Sequence, residues 1–390
     1  MAEQIVRIAG RGEGVTASGS HAPFAVPGDM LEDHGAVVPG PHRQVPPCRH
    51  FPECGGCQLQ HADDAAYRDY LADRIATALA QHRLEAEIRP PHLSPPRTRR
   101  RASLKAAKVG GQVLVGFHAE KSHRIIDMRE CHVLAPELFA LVAPLRAPLG
   151  RLLAPKRGAE VQLTLIDQGA DVMIKGVDPE GLEAIEALTA FATGNALARL
   201  SIDRGLGPEA MYEPRPATIT LSGKAVPFPV AGFLQATADG ERALVEAVVG
   251  ATAGAGTSAD LFSGLGTFAL ALPGRVYAAE ASRDAVLALK SAAPDVLVEH
   301  RDLYRRPLDV AELARFDAAV LDPPRAGATQ QIALLAGSAV PRIAYVSCNP
   351  GSFARDARTL ADGGYRLEWV QPVGQFRWST HVELAAAFMR

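Results

Sequence analysis

Ser258-Ala259-Asp260-Leu261-Phe262-Ser263-Gly264-Leu265-Gly266-Thr267-Phe268 runs from a short apolar segment into a turn holding two glycines and on into a helical pattern. Glycine lets a backbone swing from strand to helix and approach a ligand closely, so the stretch reads as the first strand-turn-helix unit of an α/β fold with a ligand at the turn. A third glycine would complete a dinucleotide fingerprint; that position is Ala269, a permitted variant. Glu280 ends the next predicted strand, fourteen residues after Gly266, where a carboxylate accepts hydrogen bonds from both hydroxyls of a ribose. Asp302, after the third strand, is placed to meet an adenine.

Outward from this loop the pattern is regular. It predicts helices over 239–249, 267–272, 283–292 and 352–362, and strands over 258–262, 275–279, 296–300, 318–321, 342–347, 365–370 and 382–389. Such alternation predicts a mainly parallel, doubly wound sheet covered by helices, with ligands outside the carboxyl ends of its strands. Residues 97–230 mix strands (112–117, 161–166, 171–177) with helices (136–145, 180–193) and read as an α+β region with an antiparallel sheet. A helix is predicted over 63–79 and a linker over 90–96. Residues 1–45 carry short alternating pieces such as Ile5-Val6-Arg7-Ile8 and read as a small β unit. The expected division is 1–45, 46–230 and 231–390.

With 390 residues and 47% hydrophobic content, the chain can bury two or three cores. No run approaches the length of a membrane span, and the N-terminus lacks a basic region followed by an apolar one, so the cytoplasm is expected, with no membrane partner. A net charge of −2 gives no global argument for a polyanion partner. Locally, Arg97, Arg99, Arg100, Arg101, Lys105 and Lys108 crowd twelve residues and read as a possible RNA footprint.

Three further elements carry chemistry. Tyr345-Val346-Ser347-Cys348-Asn349-Pro350 ends an apolar strand in a thiol; Leu321-Asp322-Pro323-Pro324-Arg325 ends another in a carboxylate followed by a stiff Pro-Pro edge. Five cysteines without a secretion signal argue for ligation or catalysis rather than disulfides. Cys48, Cys54, Cys57 and Cys131 supply four thiols from two segments, a set that zinc and an iron-sulfur cluster both accept; one compact triplet with a distant fourth is common for a cluster.

Taken together, Asp260–Leu270, Asp322-Pro323-Pro324-Arg325-Ala326-Gly327, Val346–Pro350, Thr380-His381-Val382-Glu383, Phe233-Leu234-Gln235 and the four cysteines resemble the S-adenosylmethionine-dependent RNA uracil-5-methyltransferases over nearly the whole chain from residue 46. The resemblance implies a Rossmann-like class I methyltransferase domain, a central α+β domain carrying an iron-sulfur site and a short N-terminal β piece akin to a partial RNA-binding barrel. It further implies a nucleophile at Cys348, a proton-abstracting base at Glu383, and Asp322 positioning the base or the cofactor. Cofactor contacts are expected from Gln235, Phe262, Gly264, Gly266, Thr267, Glu280, Asp302 and Asp322, and a [4Fe-4S] cluster on Cys48, Cys54, Cys57 and Cys131. Ser263, where the family often has Cys, and Ala236-Thr237 and Thr267, where it often has Asn, are departures. The expected substrate is a unique uridine of RNA, with 23S ribosomal RNA chosen because cluster-bearing members mostly act there; transfer RNA uridine and RNA cytosine-5 methylation are the alternatives. Phe233, Phe376 and Trp378 are candidate stacking partners for the base, and the enzyme is expected to be a monomer.

Overall fold

The computed structural model describes residues 2–154 and 157–390. Strands β1 (Glu3–Ile8), β2 (Gly14–Thr16), β3 (His21–Ala22), β4 (Met30–Leu31) and β5 (Val37–Val38) form an antiparallel sheet in the order β3-β2-β1-β4-β5. Its own core is only Ile5, Ala22 and Ala25. Ile8 and Val26 instead join the large core of the C-terminal layer, which anchors this small unit.

Helix α1 (Asp64–Gln81) starts at an Asp63 N-cap, whose side chain accepts the Ala66 N–H, and buries Tyr67, Tyr70, Leu71 and Ile75. Those side chains pack with residues of the C-terminal sheet. Strands β6 (Glu87–Ile88) and β7 (His92–Leu93) follow and pair in parallel with the sheet's outer strand. The segment expected to be a linker at 90–96 therefore contains a strand, too short to leave a periodic signal.

The central sheet contains β8 (Arg101–Val109), β9 (Gln112–Gly116), β10 (Gly158–Ile166), β11 (Gly169–Lys175), β12 (Arg199–Asp203) and β13 (Pro208–Tyr212), in the order β13-β12-β11-β10-β8-β9. All its pairs are antiparallel except β11 with β12. Between β9 and β10 the single expected helix is two, α2 (Pro136–Ala140) and α3 (Arg146–Leu152), because Pro144 disfavours helical backbone at the residue before it. Helix α4 (Leu182–Gly194) completes this core, and the hairpin β14 (Thr218–Leu221) and β15 (Lys224–Pro227) leads out of it.

The C-terminal layer is α5 (Ala238–Ala251), β16 (Thr257–Leu261), β17 (Arg275–Glu280), α6 (Arg283–Ala292), β18 (Leu297–His300), α7 (Val310–Leu313), β19 (Ala318–Leu321), α8 (Thr329–Ala336), β20 (Arg342–Ser347), α9 (Pro350–Asp362), β21 (Arg366–Gly374) and β22 (Glu383–Met389). The strand order is β18-β17-β16-β19-β20-β22-β21-β6, parallel except for the antiparallel β22. This is the doubly wound sheet expected. Along β20 and β22, Ile343, Tyr345, Leu384, Ala386 and Phe388 face the core shared with α1, α8 and α9, while Ala344, Val346, Ala385 and Ala387 face the one shared with α5 and α6. Both faces are covered, so the interiors of these two strands, Ile343–Val346 and Leu384–Phe388, are apolar. One expected helix is missing: Gly264–Ala271 is a run of turns, since Gly264 and Gly266 have φ of +54° and +91° and Pro273 follows too soon for helix to propagate.

Candidate active site

The first strand of the sheet sets the cofactor side of the site. Phe262 and Ser263 donate their N–H groups to the Ala279 carbonyl at 3.0 and 3.1 Å, which bends the chain off β16. Phe262 takes a left-handed φ of +64°, a backbone state that costs a non-glycine residue energy and is met at ligand sites. Gly266 is needed for a second reason: a Cβ there would stand 2.5 Å from Leu289 Cδ1. Glu280 closes the turn, accepting the Gly264 N–H at 2.9 Å and the Ser282 N–H at 2.6 Å. A carboxylate offers about four lone-pair sites, so capacity remains for two hydroxyls.

Asp302 accepts the Tyr304 N–H at 3.0 Å, and the Tyr304 ring lies 5.5 Å from that of Phe262. Tyr304 in turn donates its hydroxyl to Gly327 at 2.9 Å, tying this side to the loop after β19. Thr267 is half-buried in the glycine turn. Beneath it, Asp260 is sealed in the core with Oδ2 on the Ala269 N–H at 2.8 Å. Burial, with Asp322 and Glu280 nearby, pushes its carboxyl up to about 8.

The reacting side is built where β19, β20 and β22 meet. Ser347 pairs with Leu384 across antiparallel strands, so Cys348 and Glu383 stand opposite one another at the next register position. Asn349 caps α9 through the Gly351 N–H, with Pro350 in the first helical turn. The Asn349 amide and the Ser352 hydroxyl both donate to the Arg325 carbonyl, at 3.1 and 3.0 Å, which locks the loop of Cys348 to that of Asp322.

This corner is acidic and dry. Burial pushes the Asp322 carboxyl up to about 7. Glu383, 8% exposed, is raised to about 8 by burial and then by Asp322, with Gln375 and Arg101 pulling the other way. The Cys348 thiol is raised to about 11 by burial, then by Glu383 and Asp322. Gln235 donates Nε2 to Asp322 at 3.3 Å. Its Oε1 accepts from Gln375 Nε2 at 2.7 Å, and Gln375 Oε1 accepts the Ala236 N–H at 2.8 Å. Gln375 carried no signal in the sequence; only the register that brings the end of β21 beside Gln235 reveals it.

The basic run is arranged differently from the expected footprint. Arg100 pairs with Glu241 at 2.5 Å and donates to the Gln235 carbonyl; Arg101 donates to the Leu234 carbonyl at 2.7 Å. Lys105 pairs with Glu160 at 2.6 Å and Lys108 donates to the Gly150 carbonyl. Arg100 and Arg101 thus hold the segment bearing Gln235, Lys105 and Lys108 bind partners within the central domain, and Arg97 is exposed. Phe233, 63% exposed with Arg101 over its ring at 4.4 Å, is free to meet a base. Phe376 is half-buried under Arg99, and Trp378 is buried with Cys57 and Val133, so Trp378 is core and not a stacking surface.

Cys48, Cys54, Cys57 and Cys131 line one pocket together with Phe51, Phe117 and Met128. Backbone N–H groups point at the sulfurs: His50 and Phe51 at Cys48, Gly56 at Cys54, Val133 and Leu134 at Cys131. Burial raises all four thiols, Cys57 to about 12. Among the described residues no three His, Cys, Asp or Glu side chains converge as a single ion would require. The loop beyond the pocket braces the reacting side, because Gln58 and Leu59 both donate N–H groups to the Trp378 carbonyl at 2.8 Å.

A family model described as tRNA (uracil-5-)-methyltransferase matches residues 294–390. An uncharacterized RNA methyltransferase of Zymomonas mobilis is 50% identical over 395 residues, covering all of both chains. A 23S rRNA (uracil(1939)-C(5))-methyltransferase of Thiobacillus denitrificans is 32% identical over 389 residues, covering 91% of this chain and 87% of that one. In fold, the chain is similar over its full length to the crystal structure of the Pyrococcus abyssi tRNA (uracil-54, C5)-methyltransferase in complex with S-adenosyl-L-homocysteine, with a TM-score of 0.76 at 23% identity.

Proposed function

Because the chain belongs to the S-adenosylmethionine-dependent RNA uracil-5-methyltransferases, we propose that it methylates carbon 5 of one uridine of 23S ribosomal RNA through a transient bond between Cys348 and carbon 6. The observation that carries this reading is the meeting of Cys348, Glu383 and Asp322 at the carboxyl ends of β19 and β20, beside the glycine turn after β16. The choice of ribosomal RNA rests on the Thiobacillus relative.

Carbon 5 of uracil is a weak nucleophile. In the proposed scheme the Cys348 thiolate donates an electron pair to carbon 6, and the ring double bond shifts its electrons toward the carbon 4 carbonyl, leaving carbon 5 electron-rich. When bound, S-adenosylmethionine supplies a methyl group on an electrophilic sulfonium. Glu383 then takes the proton from carbon 5; the electrons of that C–H bond re-form the double bond and the sulfur leaves as thiolate. Burial holds the Cys348 thiol and the Glu383 and Asp322 carboxyls above their usual ranges, and in the proposed scheme the thiolate forms as the uracil enters. Gln235, Phe262, Gly264, Gly266, Thr267, Glu280, Asp302 and Asp322 are the proposed cofactor contacts.

For the cysteine pocket we propose a [4Fe-4S] cluster, with a zinc ion as the alternative for the same four thiols. Zinc draws four sulfurs to about 2.3 Å from one point, whereas a cluster takes one thiolate per iron and spaces them around a pocket with amide N–H groups at sulfur. Cys48, Cys54, Cys57 and Cys131 would hold it. Held by these four thiolates, it would tie residues 48–57 to the segment at Cys131. The three-part division at residues 45 and 230 is retained as a proposal, with α1, β6 and β7 lent to the C-terminal layer. The proposed setting is the cytoplasm, where RNA is at hand.

Cys348→Ala is expected to abolish formation of 5-methyluridine while S-adenosylhomocysteine binding stays within about threefold of wild type. Mass spectrometry of nucleosides from a treated 23S transcript and titration calorimetry check this. Methylated cytidine in place of uridine, or full turnover by the variant, would sink the reading.

A further inference from the structure

Among the groups near the reacting corner that the chemistry above leaves without a task, Gln375 is the one whose geometry is most constrained. It is 2% exposed at the turn after β21, with no surface to serve. Its amide can sit only one way round. Oε1 accepts the Ala236 backbone N–H at 2.8 Å, and since a backbone N–H cannot accept, this end must be oxygen. The nitrogen end then donates to Gln235 Oε1 at 2.7 Å, which fixes Gln235 with its own nitrogen toward Asp322. Gln375 has one N–H left, and the residue lies two positions beyond Val373, the register partner of Glu383 across β21 and β22. Space for this placement is reserved by Gly240, where a Cβ would stand 2.8 Å from Gln375 Cβ.

From this we propose that Gln375 is a positioning residue for the methyl transfer: with Gln235 it forms an amide pair held in one orientation by Ala236, delivering one N–H to Asp322 and one to Glu383. A donor aimed at each carboxyl favours its ionised form against the effect of burial. A base that must be anionic when it meets the carbon 5 proton needs such a donor in a dry pocket. The inference rests on the reading of Glu383 as that base, and it specifies what keeps the base in service.

Gln375→Glu is the informative change. It preserves shape and the acceptor for Ala236 while replacing the donor with a second oxygen facing Glu383. The rising limb of kcat against pH, measured with saturating RNA and cofactor, is expected to move up by about one pH unit. At pH 7.5 kcat should fall by up to about tenfold with KM little changed, recovering toward pH 9. Gln375→Met, which lacks both groups, should lose activity without that recovery. Infrared titration of the carboxyl band that disappears in Glu383→Gln gives a readout independent of turnover, and that band should titrate higher in Gln375→Glu. A pH profile and a Glu383 band both superimposable on wild type would overturn the proposal. Absence of 5-methyluridine from the wild-type enzyme, with the band shifted as expected, would instead overturn the assigned reaction and leave the positioning intact.

Discussion

Glu383 shows what the reacting corner costs the fold. Its carboxyl rises from the ordinary carboxylate range to about 8 in the folded protein, and Asp322 and Asp260 move the same way. A group raised on folding holds its proton more tightly in the native state, so its contribution is complete below about pH 4.5 and is lost as pH climbs through 8. Thermal stability is therefore expected to fall from pH 6 to pH 9. Glu383→Gln, which cannot ionise, should be the more stable protein at pH 8.5 by on the order of 1 kcal/mol or more, with the gap closing toward pH 5. Calorimetric melts across that range test it; a wild type that gains stability with pH would contradict the burial argument. The same variant is expected to retain RNA as a covalent adduct, visible as a shifted band on a denaturing gel. At this scale the motif residues were legible because they lie within short runs such as Val346–Pro350. Gln375 was not, because its partners Gln235 and Ala236 are about 140 positions away.

Elements were legible where period and length agreed. Helix α6 and strands β19 and β20 fall on the expected residues, since both faces of the sheet are covered and each strand is an unbroken apolar run. The helix expected after Gly266 failed because turn geometry overrode a short apolar pattern, and β6 and β7 are too brief to show any period. The basic run was legible only in part: Glu160 and Glu241, which pair with Lys105 and Arg100, are remote in the chain. A comparable pair fixes the central sheet, where Asp171 and Arg199 are register partners on β11 and β12 with two contacts of 2.9 Å, both side chains buried. Asp171→Ala leaves a buried guanidinium without its carboxylate and is expected to cost about 3–5 kcal/mol. Urea unfolding measures this, and a loss below 1 kcal/mol would show that water reaches Arg199.

The whole molecule is less divisible than its sequence suggests. Residues 231–390 contain every predicted methyltransferase motif, yet α1 supplies part of the core beneath β20 and β22, and β6 and β7 cover the outer edge of β21. A fragment of residues 231–390 is therefore expected to melt without a cooperative transition and to bind no S-adenosylhomocysteine. A sharp melt with binding retained would mean that the N-terminal half is dispensable to this layer. The link escaped the sequence because an amphipathic helix reports that it has a partner, never which one. That link also has a history within each molecule's synthesis. Helix α1 leaves the ribosome nearly three hundred residues before β21 exists to receive it. At about 5–20 residues per second its apolar face waits roughly 15–60 s in the open, long enough to make the nascent chain a client of the cell's chaperones.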